Sequence, residues 1–134
     1  MPRTGQRPLE LILARNLMAS LSTPALLVNR VGDVVFFNDA AGTILGRHFE
    51  ETGPMSAEEW TKVYGPFGDD GEPMPIERQP LTAVLRRNRP GHARHVIRTA
   101  TGSDCPVAVS GVPVIGSDGT HGAMLFFWKE DDGP

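Results

Sequence analysis

The side chains best suited to chemistry in this 134-residue chain are four histidines and one cysteine. His48, His92, His95 and His121 are scattered, and no carboxylate cluster converges with them, so no metal-ligand spacing appears. Cys105 has no partner thiol for an internal disulfide, and a cytoplasmic setting is the expectation. Asp69-Asp70 and Asp131-Asp132 are paired carboxylates, but both pairs lie among turn residues and read as solvated. Gly65-Pro66-Phe67-Gly68 does not follow a strand, and no Gly-Lys-Ser/Thr step exists, so the chain carries no phosphate loop. No Gly-x-Ser-x-Gly elbow is present, and Ser110-Gly111 falls mid-strand, where an elbow cannot form. His48, His92 and His121 read as surface residues. His95 lies within a β-rich run, where its ring could act as acid, base or hydrogen-bond partner.

Bulk properties set the frame for these side chains. The length fits one domain with one core. Hydrophobic content of 40% and charged content of 22% are globular values. A net charge of −3 argues against a nucleic-acid partner. The basic run Arg86, Arg87 and Arg89 reads as a solvated helix end. The opening Met-Pro-Arg-Thr-Gly-Gln-Arg lacks the apolar core of a signal peptide. The longest apolar run, Ala123 to Trp128, falls well short of the roughly 20 residues of a membrane span.

The elements follow from spacing. Leu9, Ile12, Leu13 and Leu17 share one helical face, and Leu11 and Met18 form a second stripe seven apart. A helix apolar on two sides touches two surfaces. Pro24 ends it. Ala25 to Val28 and Val34 to Phe37 are β-rich runs joined by Asn29-Arg30-Val31-Gly32-Asp33, a hairpin signal. Asn38 or Asp39 can cap a short helix over Ala40 to Leu45, and Gly46 suits its end. Ser56 and Glu59 make a capping box for another helix through Trp60. Gly65 to Pro75 is a loop. Pro80 opens a further helix, buried through Leu81, Val84 and Leu85 and stopped by Asn88-Arg89-Pro90-Gly91. Three strands remain: His92 to Thr99, Cys105 to Ile115 and His121 to Lys129. Short turns, Thr101-Gly102-Ser103-Asp104 and Gly116-Ser117-Asp118-Gly119, make them antiparallel neighbours. The expected fold class is α+β, a five-stranded antiparallel sheet with helices packed on one face.

That order and these residues resemble the PAS family. Pro24-Ala25-Leu26-Leu27-Val28, Gly32, Val35 to Ala41 and Leu45-Gly46-Arg47 are similar to its opening hairpin and helix, with the Asn38 and Ala41 pair and the Gly46-Arg47 pair the most recognisable points. Asp70-Gly71-Glu72-Pro73-Met74-Pro75 and Gln79-Pro80-Leu81 look like the loop and long helix of many bacterial members. Gly102, Val107 to Pro113 and Gly119 to Phe127 resemble the last strands. The resemblance implies a PAS domain over residues 22–129, an N-terminal helix or cap over 1–21 on the other sheet face, and a disordered tail over 130–134. Signalling members often close on an Asp-Ile-Thr-like step into a coiled coil. Here Trp128-Lys129-Glu130 stands in its place, so output is expected through a partner protein or through dimerisation of a stand-alone sensor.

PAS domains hold ligands between the sheet and the short helices, and alternation along each strand then assigns the faces. Leu26, Val28, Val35, Phe37, Ala93, His95, Ile97, Val107, Val109, Gly111, Ala123, Leu125 and Phe127 should point inward. The small residues Ala93, Gly111 and Ala123 favour a hollow. The expected cavity-facing set is Val28, Phe37, Leu81, Leu85, His95, Ile97, Val109, Leu125 and Phe127, suited to a small apolar ligand. Leu27, Phe36, Met124, Phe126 and Trp128 form an apolar outer face. With Leu9, Ile12, Leu13 and Leu17, the last four are the expected homodimer interface. No cofactor is expected. The flavin-linking cysteine motif of the light-sensing members is missing, Ile97, Val107 and Phe127 replace the amides a flavin ring needs, and Leu81 to Asn88 holds no histidine for haem, which leaves His48 and His95 as remote candidates for its axial ligand. The expected role is sensing without catalysis; a ligand-free interaction module is the alternative. An enzyme built on His95 would need a second polar group in the cavity, and the inner strands offer none.

Overall fold

In a computed structural model, residues 9–75, 78–116 and 119–130 are described. The expected disorder beyond residue 130, the Asp131-Asp132 pair, and Ser117-Asp118 at the last turn fall outside them. The chain order is α1 (Leu9–Ala19), β1 (Ala25–Asn29), β2 (Val34–Phe37), α2 (Asp39–Leu45), α3 (Phe49–Thr52), α4 (Ala57–Val63), α5 (Pro80–Arg87), β3 (Gly91–Arg98), β4 (Asp104–Gly116) and β5 (Gly119–Lys129). The strands form one antiparallel sheet in the order β2-β1-β5-β4-β3. Its two edges are β2 and β3, the strands before and after the helices α2 to α5 in the chain, and β5 runs through the middle.

Local sequence accounts for the boundaries. Asn38 caps α2, accepting from the Ala41 N–H at 3.0 Å, and Gly46 closes the helix at φ 88°. Ser56 accepts from the Glu59 N–H at 3.1 Å and completes the capping box of α4. Pro80 opens α5, and Asn88 ends it at φ 54°. The helix α3 has no counterpart in the sequence reading. Its N-terminus is held by the Glu51 carboxylate, which accepts from the His48 N–H at 2.9 Å. Phe49 then packs edge-on against Phe36 and Phe37, at 5.2 and 5.5 Å between ring centroids.

Two buried clusters lie on the two sheet faces. The inner one joins Leu26, Val28, Phe37, Val107, Val109, Ala123, Leu125 and Phe127 to Ala41, Leu45, Tyr64 and Val84 from the helical side. The outer one joins Ala25, Leu27, Phe36 and Val114 to Leu11, Ala14 and Met18 of α1. Strand alternation thus gives the right face for every inner residue of β5 and β4. It fails at Val35. Val28 pairs with Val34, while Leu27 and Leu26 pair with Phe36 and Phe37, so Val35 is the extra residue of a bulge. The bulge puts Val34 with the inner cluster and Val35 with the outer one.

Candidate functional site

Between the inner sheet face and α4, α5 and their loops lies a cavity of about 100 Å³. The sheet supplies Leu26, Val28, Val34, Ile97, Val109, Leu125 and Phe127 as its floor. Ala57, Trp60 and Thr61 of α4 and Gly65-Pro66 form one wall; Gln79, Pro80 and Leu81 form the other. Of the expected cavity-facing residues, Val28, Leu81, His95, Ile97, Val109, Leu125 and Phe127 line it. Phe37 does not. Its ring is taken up by Phe49 and by Trp60, 6.0 Å away. Leu85 does not either. It lies one turn beyond Leu81 and faces an open groove that shares Gly32, Ala57, Thr61, Gln79 and Leu81 with the cavity mouth. The hollow is not made by Gly111, whose missing side chain is replaced by Leu125 and Val84 packing over its backbone. The wall residues of α4 were missed by sequence reading. The spacing of Ala57, Trp60 and Thr61, on one face of a capped helix, is the signal that could have found them.

No Asp, Glu, Lys or Arg lines the cavity among the described residues. Its side chains with polar atoms are Trp60, Thr61, Gln79 and His95. Thr61 donates to the Ala57 carbonyl at 2.8 Å, and the Gln79 amide donates to the Met74 carbonyl at 3.1 Å. His95, opposite Val107 in the sheet, is 9% exposed, and its Nδ1 is buried without a hydrogen-bond partner. Burial pushes its pKa from 6.5 down to about 4, opposed by the Val96 backbone. The ring is therefore neutral at pH 7.

That depression carries a stability consequence. Between pH 6.5 and about 4 the unfolded chain binds a proton at His95 that the folded chain refuses. The His95 contribution is thus complete above 6.5 and is lost as pH falls through that window, by about 3 kcal/mol in all. Urea denaturation of the wild type and His95→Leu at pH 7 and pH 4.5 checks this. The wild type should lose about 2–3 kcal/mol more than the variant between the two pH values. Equal losses would show that the ring is solvated.

On the opposite face, α1 covers the sheet with its Leu11-Ala14-Met18 stripe. Leu9, Ile12, Leu13 and Leu17 remain 63%, 43%, 57% and 53% exposed. Trp128 is 47% exposed, Met124 and Phe126 are half-buried, and Phe36 is buried beneath α1 with the Arg15 guanidinium 4.6 Å from its ring centroid. His48 and His92 are exposed. His121 departs from the surface placement read in the sequence. It is buried because α1 and the β1–β2 turn close over it, with Glu10 3.5 Å from Nε2 and Arg30 3.2 Å from Nδ1.

Cys105, half-buried near the start of β4, is not among the residues that line the cavity. Among the described residues no group of three His, Cys, Asp or Glu side chains comes together as a metal site. No described helix is long and apolar enough to cross a membrane.

A family model described as a PAS domain matches residues 22–130. Among solved structures, a light-oxygen-voltage protein from Rhodobacter sphaeroides superposes with a TM-score of 0.73 at 13% identity, over 92% of this chain and 68% of that one. A PAS domain from Colwellia psychrerythraea gives 0.65 at 12% identity, over 89% and 97%. The PAS domain of a LuxR-family transcriptional regulator from Burkholderia thailandensis, solved in complex with ethanol, gives 0.59 at 15% identity, over 85% and 94%. These likenesses concern the fold. No curated protein matches the sequence.

Proposed function

The chain belongs to the PAS domain family, a general sensory and signalling module, and we propose that it is a cytoplasmic sensor that binds a small, mainly apolar ligand and performs no catalysis. The observation that carries this reading is the uncharged cavity of about 100 Å³ between the sheet and the helices. Cavities of this kind, apolar with few polar groups, favour binding over reaction. The ethanol held by the Burkholderia thailandensis domain is a ligand of the scale this cavity accepts. Xenon tests it directly, because it needs no polar contact and enters small apolar cavities. Under xenon pressure the methyl resonances of Val28, Val109 and Leu125 should shift in a saturable way. Unmoved methyls would mean that the cavity is closed to ligands.

The second reading, a ligand-free interaction module, draws on the exposed stripe of α1. Four large apolar side chains in a row on one helix favour burial against another surface. A second copy of the chain is the proposed occupant in both readings, with Leu9, Ile12, Leu13, Leu17 and Trp128 at the interface and Met124 and Phe126 at its margin. Phe36 supports it from below. Sedimentation velocity should give a dimer for the wild type and a monomer with unchanged far-ultraviolet circular dichroism for the double variant Leu13→Glu, Leu17→Glu. A monomeric wild type at 100 µM or so would remove the homodimer, since a Kd weaker than this corresponds to less than about 6 kcal/mol of association.

A further inference from the structure

We propose that the ligand is an anionic amphiphile, an aliphatic carboxylate of about eight carbons, whose hydrocarbon end fills the cavity and whose head group lies outside it between Lys62 of α4 and Arg86 of α5. This rests on the sensor reading above and narrows it to a chemical class. The cavity opens at one side. Its mouth, formed by Gly32, Ala57, Thr61, Gln79 and Leu81, is also part of the open groove that Leu85 faces. A molecule that enters the cavity end-on therefore leaves its other end in that groove.

The two compartments differ in charge. Among the described residues the cavity lining holds no carboxylate, ammonium or guanidinium group, so a charged head group inside it would be buried without a counter-ion. The groove carries three cations, Arg30, Lys62 and Arg86, against one carboxylate, Glu58, among the described residues. Arg30 turns its guanidinium to His121, 3.2 Å from Nδ1. Lys62 lies 3.3 Å from Glu58, but both side chains are largely exposed, and an exposed pair holds its partners loosely. Arg86 is exposed and makes no ion pair among the described residues. Lys62 and Arg86 thus stand one on each of the two helices that flank the mouth, and both are open to an anion. At the rim the Gln79 amide, which donates one N–H to the Met74 carbonyl, has a second to offer.

Size sets the length of the chain. A cavity of about 150 Å³ takes the six carbons of benzene, so the roughly 100 Å³ available here takes about four. The remaining methylenes lie in the groove, whose apolar side chains between the mouth and the cations are Val31, Met74, Leu81 and Leu85. A chain of three or four carbons fills the cavity and stops short of the cations. A cationic head group on a chain of the same length would meet Lys62 and Arg86 as like charges.

The test uses the full chain, labelled with 15N and methyl 13C, at pH 7 and low ionic strength. It is titrated separately with sodium octanoate, octylamine and sodium butyrate, with xenon as the uncharged reference. Octanoate should bind about tenfold more tightly than octylammonium, because each exposed cation attracts the one and repels the other. It should also bind about tenfold more tightly than butyrate, which buries fewer methylenes. Octanoate saturation should move the methyls of Val28, Val109 and Leu125 together with the backbone amides of Lys62 and Arg86. Salt at about 0.5 M should bring octanoate and octylammonium within about threefold of each other. In the double variant Lys62→Glu, Arg86→Glu the preference should invert, while xenon affinity changes by less than about threefold. The wild-type comparison and its salt dependence stand even if that variant folds poorly. Octylammonium binding as tightly as octanoate, a preference unchanged in the variant, or octanoate leaving still the methyls that xenon moves would overturn the carboxylate assignment and leave the sensor reading intact. If neither octanoate nor xenon moves those methyls, the sensor reading fails and takes this proposal with it.

Discussion

Asn38→Asp should cost the fold about 4 kcal/mol at pH 7, although aspartate caps helices as well as asparagine does. The reason lies in how much the asparagine amide does beyond capping. Its Oδ1 accepts from the Ala41 N–H at 3.0 Å and from the Ala25 N–H at 3.1 Å, joining the start of α2 to the start of β1. Its Nδ2 donates to the Thr23 carbonyl at 2.8 Å and the Met18 carbonyl at 3.1 Å, with the Leu21 carbonyl at 3.4 Å. One side chain, 2% exposed, therefore fastens the end of α1, the following turn, β1 and α2 together. A carboxylate keeps both accepted bonds and loses both donors. It also buries a negative charge facing carbonyl oxygens, each left unsatisfied at about 1–3 kcal/mol. Protonating the new carboxyl restores one donor, so its folded pKa must lie above the unfolded 3.9 or so. The variant's stability is then fully present below that unfolded value and is lost as pH rises through the folded one. The gap between wild type and variant should narrow from pH 7 to pH 4.5 in urea titrations. A gap under 1 kcal/mol or so, unchanged with pH, would mean that the carbonyls of Met18 and Thr23 find other donors.

The amide bridge also explains how far the sequence could be read. Asn38 is visible there as a cap because capping is local, three residues from its partner at Ala41. Its bonds to Met18 and Thr23 span 20 and 15 residues, and no spacing rule reports them. The same division holds elsewhere. The hairpins, the capping box at Ser56 and the start of α5 at Pro80 are set by neighbours in the chain, and the sequence places them closely. Alternation gives the faces of β4 and β5, long strands with regular pairing through most of their length. It fails in β2 because the bulge at Val35 carries no glycine or proline to mark it. On α1 both apolar stripes are legible, but Ala14 decides which one meets the sheet. A small side chain lets α1 approach Leu27 and Phe36, and the larger Leu9-Ile12-Leu13-Leu17 stripe is left outward. Burial of His121 and the walls of the cavity are likewise products of distant segments closing together. Of the nine residues expected at the cavity, the seven that line it sit on the sheet or at the head of α5. For the α4 wall, spacing puts Ala57, Trp60 and Thr61 on one helix face, but that this face meets the sheet is decided only in three dimensions.

Gly122→Ala is the single-methyl change expected to do most damage, about 4 kcal/mol. Gly122 lies in β5, the central strand, paired with Asn29 on one side and Val114 on the other. A Cβ placed there would overlap the Val28 carbonyl oxygen, with Leu11 Cδ2 at 3.1 Å and Asn29 Cα at 3.2 Å. The first and last of these are backbone atoms and cannot rotate away. Relief requires β1 to move off β5, which weakens their ladder and lifts α1 through Leu11. Two other glycines calibrate the effect. Gly102, at φ 87° with nothing near its missing Cβ, should cost about 1–2 kcal/mol as alanine through backbone strain alone. At Gly111 the added methyl meets Leu125 Cδ2 at 2.5 Å and Val84 Cγ2 at 3.0 Å, both ends of side chains that can turn. Gly111→Ala should cost about 1–3 kcal/mol, and because Leu125 lines the cavity, it should also change xenon affinity. Gly122→Ala reaches the cavity only through displacement of β1, whose Leu26 and Val28 line it. Its effect falls on the seam where α1, β1 and β5 meet. Guanidinium denaturation of the three variants should rank Gly122 well above Gly111 and Gly102. A Gly122→Ala variant as stable as Gly111→Ala would show that β1 yields easily, and that α1 is only loosely tied to the sheet it covers.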